Sequence, residues 1–385
     1  LKKLDLSHID YLSFARDLEN LKSEIDNNID EKDYKHLRKI ELWGKICTLV
    51  GYLTAWICIN PFSAFLISQG NVTRWAMITH HVTHKGYDKV PGIKNKYKSK
   101  YYAKGWRRFF DWAEWMHPEG WSLEHNILHH YHTGEMADPD FAQKNVQMIR
   151  NAQMPKFLKY LIIFFFMTNW KLTYYAPNTF WFLLQQKKKK GKLKDNYLDF
   201  TAKKKVYPGA TIFMPFSSDG LKFWINCVLP YFSYRFVFIP ILFLPFGTSI
   251  WFTVLFNSLL AEIFTNIHSF IIIVPNHTGD DVPFFKGNIS DKEEFYVRQV
   301  IGSVNYTGGN DLSDFLQGWL NYQIEHHLWP DIPMLKYQEY QVRVEEICKN
   351  HGVPYIRENI FQRFIKLLDI LVGNSSMVPV KTNKV

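Results

Sequence analysis

The chain has 385 residues, 47% hydrophobic and 17% aromatic, with a formal net charge of +10, and is long enough for one large domain or two ordinary ones. Its four cysteines are widely spaced without a Cys-x-x-Cys pair, which argues against a disulfide framework or a thiolate metal cluster. The basic residues flank apolar runs and accompany no zinc-finger or RNA-recognition pattern, so they indicate anionic lipid and not nucleic acid as the partner.

The N-terminal region, residues 1–42, is predicted to be an amphipathic helical segment that forms a solvated cap. Leu21, Ile25 and Ile29 recur there at helical spacing among acidic residues and lysines. No charged n-region, short apolar core and small-residue cleavage site precede the first apolar run, so we expect no secretory signal peptide.

Apolar runs then alternate with lysine-rich stretches, which indicates a membrane protein despite a mean hydropathy of -0.21. The run 46–67 is broken by Asn60-Pro61, which fits either a turn between two short spans or a kink in one long span. About fifty mostly apolar residues between Lys222 and Pro275, interrupted near Pro245-Phe246-Gly247, predict a hairpin of two helices. The polar interruptions of the run 157–184 favour an interfacial position.

Two basic segments, 85–108 and 187–205, are predicted to lie in the cytoplasm by the positive-inside tendency. The fold class predicted from these patterns is all-α: a multi-pass bundle of about four spans in two hairpins, with a cytosolic helical cap that holds the functional site. We divide the chain into the N-terminal segment 1–42, a membrane and catalytic domain 43–345, and a C-terminal cytosolic tail 346–385.

Most of the fifteen histidines fall in three tight groups, each just past an apolar run, at 80–84, 125–130 and 323–327. In the first two groups a His-x-x-x-His spacing places two imidazoles on one helical face. The number of imidazoles exceeds the four ligands that one tetrahedral zinc ion binds, and we therefore expect two metal ions. The ligands predicted from these groups are His80, His84, His125, His129, His130, Gln323, His326 and His327.

Other di-metal patterns are missing. Glu-x-x-His occurs once, at Glu114 to His117, and not twice as in the carboxylate di-iron bundles, and no His-Glu-x-x-His of zinc proteases occurs. Acidic partners are expected to orient the imidazole rings. The carboxylates within reach in sequence are Glu124, Glu135, Asp138, Asp140, Asp280, Asp281 and Glu325.

The three histidine boxes, with hydrophobic hairpins between them, resemble the membrane fatty acid desaturase family over roughly residues 70–345. The resemblance includes flanking residues such as Thr73-Arg74-Trp75 and Leu328-Trp329-Pro330. The glutamine that heads the third box is similar to the front-end type, although this chain shows no fused cytochrome b5 domain. The family also implies one further histidine ligand before the third box, for which His277 is favoured over His268.

The resemblance implies oxygen-dependent desaturation of a fatty acyl chain, carried on a lipid or on coenzyme A, by a centre of two iron ions. Electrons would come from a separate cytochrome b5 or ferredoxin with its reductase, because the chain lacks a glycine fingerprint for dinucleotides and a heme or iron–sulfur motif. The active site would face the cytosol, at the endoplasmic reticulum of a eukaryote or the inner membrane of a bacterium. An acyl hydroxylase on the same scaffold stays open, and a metal transporter is the more distant alternative.

The remaining histidines are not predicted to bind metal. We expect His81 and His132 to lie beside ligands or on the surface, and His117 to have a structural or substrate-side role. The last set is expected at the surface and comprises His8, His36 and His351.

Overall fold

A computed structural model of the protein describes residues 6–189, 208–287 and 289–380. These residues are mostly helical, as predicted. Residues 190–205 of the second basic segment lie outside the described residues.

The α-helices are Tyr11–Asn27, Glu31–Ala55, Pro61–Val72, His80–Thr83, Arg108–Asp111, Pro118–Leu123, His130–His132, Ala142–Asn145, Gln147–Asn151, Lys156–Met167, Ala176–Lys188, Ser218–Phe223, Leu229–Phe232, Ile239–Ile241, Thr248–Ile273, Lys292–Ile301, Asp311–Leu316, Gln323–Leu328, Met334–Asn350 and Ile360–Val372. Segments of π-helix are Thr73–Thr79, Glu124–His129, Lys171–Tyr175, Trp224–Val228 and Ser233–Phe238. The 3₁₀ turns are Asn95–Tyr97, Gly105–Arg107, Pro208–Thr211, Leu244–Phe246, Val274–His277 and Leu320–Tyr322. The strands are Pro283–Phe285, Asn305–Tyr306, Arg357–Glu358 and Val378–Val380.

The N-terminal helix Tyr11–Asn27 is packed and not solvated. Its apolar side, which includes Leu21 and Ile25, is buried, and it contacts the helices Lys292–Ile301 and Met334–Asn350. The prediction of an amphipathic helix is therefore confirmed, whereas the prediction of a solvated cap is wrong.

The next helix, Glu31–Ala55, runs without interruption across the boundary predicted at residue 42. His36 on this helix is only 6% exposed and packs edge-on against Trp319, at 4.7 Å between ring centroids. The prediction of a surface position for His36 is wrong because the apolar contact is made by a segment almost 300 residues away. Burial lowers the pKa of His36 to about 4.

The break at Asn60-Pro61 is a turn between two antiparallel helices. Asn60 caps the helix Pro61–Val72 by accepting a hydrogen bond from the Ser63 N–H at 2.7 Å, and Pro61 occupies the first helical turn, where its missing N–H costs nothing. The helix continues through the π-helical residues Thr73–Thr79 to His80–Thr83. This hairpin therefore delivers the first histidine box at the end away from its turn.

Glycines allow the two helices of this hairpin to approach closely. A Cβ atom at Gly70 would lie 1.9 Å from Thr48 Oγ1 and 3.0 Å from the carbonyl oxygen of Gly44, and a Cβ at Gly51 would lie 2.9 Å from the Ile67 nitrogen. At these glycines the two helix backbones thus lie in direct contact, and the space between them holds no larger side chain.

The predicted second hairpin is confirmed as a helical turn-back. Two helical stretches, Ser218–Phe246 and Thr248–His277, are long and apolar enough to cross a membrane. They are joined at Gly247, whose φ of +126° is a backbone conformation that favours glycine. The second stretch ends at His277 and so delivers another imidazole.

The C-terminal residues are tied to the body by two short parallel strand pairs, which the sequence analysis did not predict. Pro283–Phe285 pairs with Val378–Val380, and Asn305–Tyr306 pairs with Arg357–Glu358. On the helix Ile360–Val372, which connects the two C-terminal strands, buried Arg363 donates to Asp281 at 2.6 Å and to the carbonyl oxygen of Thr278 at 2.9 Å.

We expect Gly70→Leu to destabilise the first hairpin, because the new side chain would enter the space of Thr48. Overpacking of this kind costs about 1–3 kcal/mol, so the unfolding temperature in detergent should fall. Val50→Leu, on the exposed side of the same hairpin, is the matched control and should leave it unchanged. Equal unfolding temperatures for both variants would contradict the close packing.

Candidate metal centre

Three helical segments bring the histidine boxes to one place. The first box ends the hairpin helix, and the second lies on the π-helix Glu124–His129 and its continuation His130–His132. The third box occupies Gln323–Leu328, after the 3₁₀ turn Leu320–Tyr322 and the left-handed Trp319 that precedes this turn. π-Helical turns often mark functional sites, since the extra residue redirects side chains.

The imidazoles form two adjoining groups, and in each the potential ligand atoms lie within 4.8 Å of one another. The sequence expectation that distant histidines converge is confirmed in this geometry. The first group is His80, His84, His125, His130 and His326. The second group is His129, His277 and His327.

Hydrogen bonds to one ring nitrogen point the other nitrogen into the cluster. His80 Nδ1 lies 3.2 Å from the carbonyl oxygen of Ala76, and His277 Nδ1 lies 3.0 Å from that of Gly302. Because a carbonyl only accepts, both Nδ1 atoms carry the proton, and the Nε2 lone pairs are left for a metal.

Further nitrogens of the cluster are buried without a hydrogen-bond partner among the described residues. Such atoms cost free energy unless something binds them, and a metal ion satisfies this demand. Burial, followed by the neighbouring imidazoles, also lowers the pKa of the rings of His130, His326 and His327, which keeps them in the neutral form that binds metal. The unpartnered atoms are Nε2 of His84, His130, His326 and His327 and Nδ1 of His125 and His130.

Gln323, the remaining predicted ligand, lies at the second group. Its amide nitrogen is 2.9 Å from His277 Nε2, and its oxygen accepts from Asn276 at 3.0 Å. His268 lies elsewhere, with its ring nitrogens 2.7 Å from the Leu316 carbonyl oxygen and 3.1 Å from the Gln69 amide. The structure thus places His277 and not His268 with the predicted ligands.

Among the predicted acidic partners, only Asp138 makes a side-chain hydrogen bond to a clustered imidazole. Its Oδ1 accepts from His129 Nδ1 at 2.9 Å, while its Oδ2 accepts from the Gly134 N–H at 3.1 Å. Although burial opposes it, this carboxylate raises the pKa of His129. Asp138 therefore orients the ring and makes its other nitrogen a better ligand.

The other predicted acids have different positions. Asp140 lies within 4.8 Å of ligand atoms of His125 and His129, and burial raises its pKa to about 6. Burial and the charge of Asp140 raise the pKa of Glu124. Asp280 is exposed, so its predicted orienting role is wrong.

Three further acids are held by other groups instead of by the clustered imidazoles. Glu135 binds Arg298 at 2.8 Å, Asp281 binds Arg363, and Glu325 accepts from Tyr355 at 2.7 Å. For these residues the prediction of a ring-orienting contact is wrong, because their carboxylates bind basic or phenolic side chains from other segments instead.

Neutral groups that the sequence analysis missed do this orienting. Gln299 Oε1 accepts from His327 Nδ1 at 2.9 Å, and the Tyr337 hydroxyl lies 3.4 Å from His326 Nδ1. Neither residue belongs to a recognisable motif, so the sequence alone carries no signal for them.

The non-ligand histidines have local roles. His81 is buried with Nδ1 2.6 Å from the Met77 carbonyl oxygen, and His132 binds Glu135 at 2.8 Å, outside both groups. His117 caps the helix Pro118–Leu123 by accepting from the Glu119 N–H at 3.3 Å, which is a structural role. His8 is exposed, as predicted, and His351 is half-buried beside Asp17.

An apolar cavity of about 390 Å³ begins at the cluster. Clustered residues including His80, His125 and His129 form one end, and Trp170, Tyr175 and other aromatic or aliphatic side chains form the walls. A long apolar substrate fits this shape, because burial of methylene groups is favourable and no charged group interrupts the wall beyond the cluster.

The known proteins that this chain is similar to in sequence are named as fatty acid desaturases. The model of the family described as fatty acid desaturase matches residues 51–359. The NADPH-dependent stearoyl-CoA 9-desaturase of Mycobacterium tuberculosis is 24% identical over 376 residues, covering 91% of this chain and 76% of the relative. The acyl-lipid (8-3)-desaturase of Mortierella alpina is 21% identical over 372 residues with the same coverage of each. The Delta(8)-fatty-acid desaturase of Euglena gracilis is 40% identical over 65 residues, 17% of this chain and 15% of that protein.

We expect Asp138→Asn to weaken metal binding roughly 10–100-fold, because outer partners of ligating imidazoles have effects of this size. The variant removes the negative charge beside His129. Its amide N–H₂ group would also face the backbone N–H of Gly134, which needs an acceptor. The measurement is retained metal per protein after dialysis against increasing chelator. Asp331→Asn, on an exposed carboxylate, should match the wild type; equal metal retention in all three proteins would contradict the role of Asp138.

Proposed function

Because the chain belongs to the fatty acid desaturase family, we propose that it is a multi-pass membrane desaturase with a di-iron centre and an external electron donor. It desaturates fatty acyl chains. The observation that carries the proposal is the pair of imidazole groups at one end of an apolar cavity. The proposed ligands are His80, His84, His125, His129, His130, His277, Gln323, His326 and His327.

Side chains alone cannot carry out this reaction. An unactivated methylene has no acidic proton and no leaving group, so two bound iron ions, with dioxygen as co-substrate, would supply the oxidising chemistry. A donor set of eight imidazole nitrogens and one amide oxygen suits iron, and the count of nine donors suits two ions.

The protein's own contribution is position and the exclusion of water. The cavity walls hold the acyl chain along a fixed path, so that the same pair of carbons faces the cluster on each turnover. Trp121 stacks on the His125 ring at 4.6 Å between centroids, and Asp138 fixes His129. The dry lining limits the access of bulk water to the reacting carbons.

Exposed apolar side chains support a four-span arrangement. Leu49, Leu53 and Phe62 on the first hairpin are 59%, 60% and 62% exposed, and Phe238 and Phe252 on the second are 56% and 49% exposed. These side chains suit lipid contact. From Pro61 to the first histidine box the helix rises roughly 30 Å, the thickness of the hydrocarbon core.

The helix Lys156–Met167 fits the interfacial position predicted from its sequence. It exposes Phe157, Leu161 and Phe165, and buries Lys159 and Ile163 against the body. An apolar outer face on a helix beside the cavity is suited to lie in the plane of the membrane surface.

The proposed substrate is a fatty acyl group on a lipid or on coenzyme A, and the proposed donor is a separate cytochrome b5 or ferredoxin with its reductase. The Mycobacterium relative is named as NADPH-dependent, which fits a donor chain that begins with a reductase. The basic segment 85–108 supports a position of the cluster on the cytosolic side, of the endoplasmic reticulum in a eukaryote or the inner membrane in a bacterium. The division into 1–42, 43–345 and 346–385 stays part of the proposal.

The decisive experiment is the fatty acid methyl ester profile of cells that express the protein. We expect a new unsaturated species that is lighter than its precursor by one pair of hydrogens, and its loss in His129→Ala. His132→Ala, three residues along but outside both imidazole groups, should keep the product. A product heavier by one oxygen atom would indicate hydroxylation, and an unchanged profile across fed substrates would contradict the proposal.

Native cysteines test the proposed topology. Cys58 is exposed in the turn of the first hairpin, whereas Cys227 and Cys348 are buried. In sealed vesicles with the cytosolic face outward, an impermeant maleimide should label Lys100→Cys in the basic segment but reach Cys58 only after detergent. Cys58→Ser supplies the background signal. Labelling of Cys58 in intact vesicles would contradict the arrangement.

A further inference from the structure

A second cavity, of about 440 Å³, lies on the other side of the first hairpin and is here called the hairpin pocket. Its walls come from residues 41–52 and 70–78 of the hairpin and from residues 96–111 of the basic segment. It shares no lining residue with the catalytic cavity: Trp75 faces the catalytic cavity, whereas its neighbour Arg74 faces the hairpin pocket. Nothing in the desaturation reaction uses this space.

One end of the hairpin pocket has an excess of positive charge. The Glu41 carboxylate is already bound by Lys45 at 2.9 Å, by Lys96 at 3.6 Å, by the Tyr97 hydroxyl at 2.6 Å and by Arg38. The oxygens of the Glu41 carboxylate are therefore already engaged with these donors.

The other carboxylate of the pocket, Asp111, is bound by Arg107 at 2.8 Å. Arg74 is the remaining cation. Among the described residues it has no carboxylate within 4 Å and donates no hydrogen bond, and it is half-buried in the wall. Three cations, Lys45, Arg74 and Lys96, thus line the pocket beside two carboxylates that Arg38 and Arg107 also bind. The guanidinium of Arg74, a group whose donors suit phosphate oxygens, is uncommitted.

The hairpin pocket has an apolar part as well as a charged part. Leu49 and Phe110 line it and are 59% and 73% exposed, and Ile78 and Tyr52 also belong to its lining. Trp106 and Phe109 add two more exposed aromatic side chains beside it, at 70% and 57%. Aromatic residues mixed with arginine and lysine are typical of the head-group level of a bilayer.

From this combination we propose that the hairpin pocket binds one anionic phospholipid. Its phosphate would accept from Arg74 and lie near Lys96, and its acyl chains would follow Leu49 and Phe110 toward the bilayer. A soluble phosphate would satisfy the charged end but leave the apolar end without a partner, and a neutral lipid would do the reverse.

The bound lipid would join the basic segment to the helix that delivers the first histidine box. These elements already meet at a hydrogen bond of 2.6 Å between the Thr79 and Tyr102 hydroxyls, and Thr79 directly precedes His80. Since a ligand of the folded state stabilises it, the lipid should raise the unfolding temperature of the protein.

The test is native mass spectrometry of delipidated, metal-loaded protein titrated with dioleoyl phosphatidylglycerol or dioleoyl phosphatidylcholine. The wild type should bind one phosphatidylglycerol about tenfold more tightly than phosphatidylcholine, and the unfolding temperature should rise in parallel. Arg74→Gln should lose this preference, and Arg74→Lys should retain most of it. Arg16→Gln removes an exposed arginine elsewhere and should behave as the wild type.

Two outcomes would overturn the proposal. One is an unchanged preference for phosphatidylglycerol in Arg74→Gln. The other is loss of the lipid in Ala142→Trp, which fills part of the catalytic cavity and would show that the lipid sits there. If Arg74→Gln loses its metal or its fold, Lys96→Gln on the opposite wall takes its place with the same expected loss of preference.

Discussion

Buried imidazole nitrogens without hydrogen-bond partners are the constraint on which the rest of this structure depends. Eight rings from four separate parts of the chain meet in a space where each unpaired nitrogen costs free energy, so the arrangement favours the binding of a metal ion. The helix ends that carry the rings must lie close together, so each hairpin must begin and end on the same side. In the first hairpin, glycines allow the two helices to pack closely, and in the second, the positive φ of Gly247 allows the chain to reverse its direction.

The same constraint explains how the rings are oriented. A carboxylate beside every ligand would place much negative charge in a buried site, and among the described carboxylates only Asp138 makes a hydrogen bond to a clustered ring. The backbone carbonyls of Ala76 and Gly302 and the amide of Gln299 accept from other rings without adding charge. Glu135, Asp281 and Glu325 instead bind basic or phenolic partners, so their charges are balanced away from the cluster.

Local patterns explain what the sequence predicted well. Histidine spacing, the proline after Asn60 and the glycine after Phe246 each act within a few residues, so the boxes and both turns were predictable. The partners of His327 and the burial of His36 depend on residues far along the chain, and strands of two or three residues have no periodicity to detect. The choice between His268 and His277 needed the structure, because both follow an asparagine within one turn near the end of the same apolar run.

The cavity and the cluster together limit where an acyl chain can react. The clustered residues line one part of the cavity, so under the proposed function the carbons oxidised would be those that lie opposite His80, His125 and His129. Under the proposed function, the double-bond position would be a length measured along the cavity from the head group, and it would depend on wall side chains that belong to no histidine box. Such a separation would allow relatives with different positional names, such as the (8-3)- and the 9-desaturase, to match one chain over nearly its whole length.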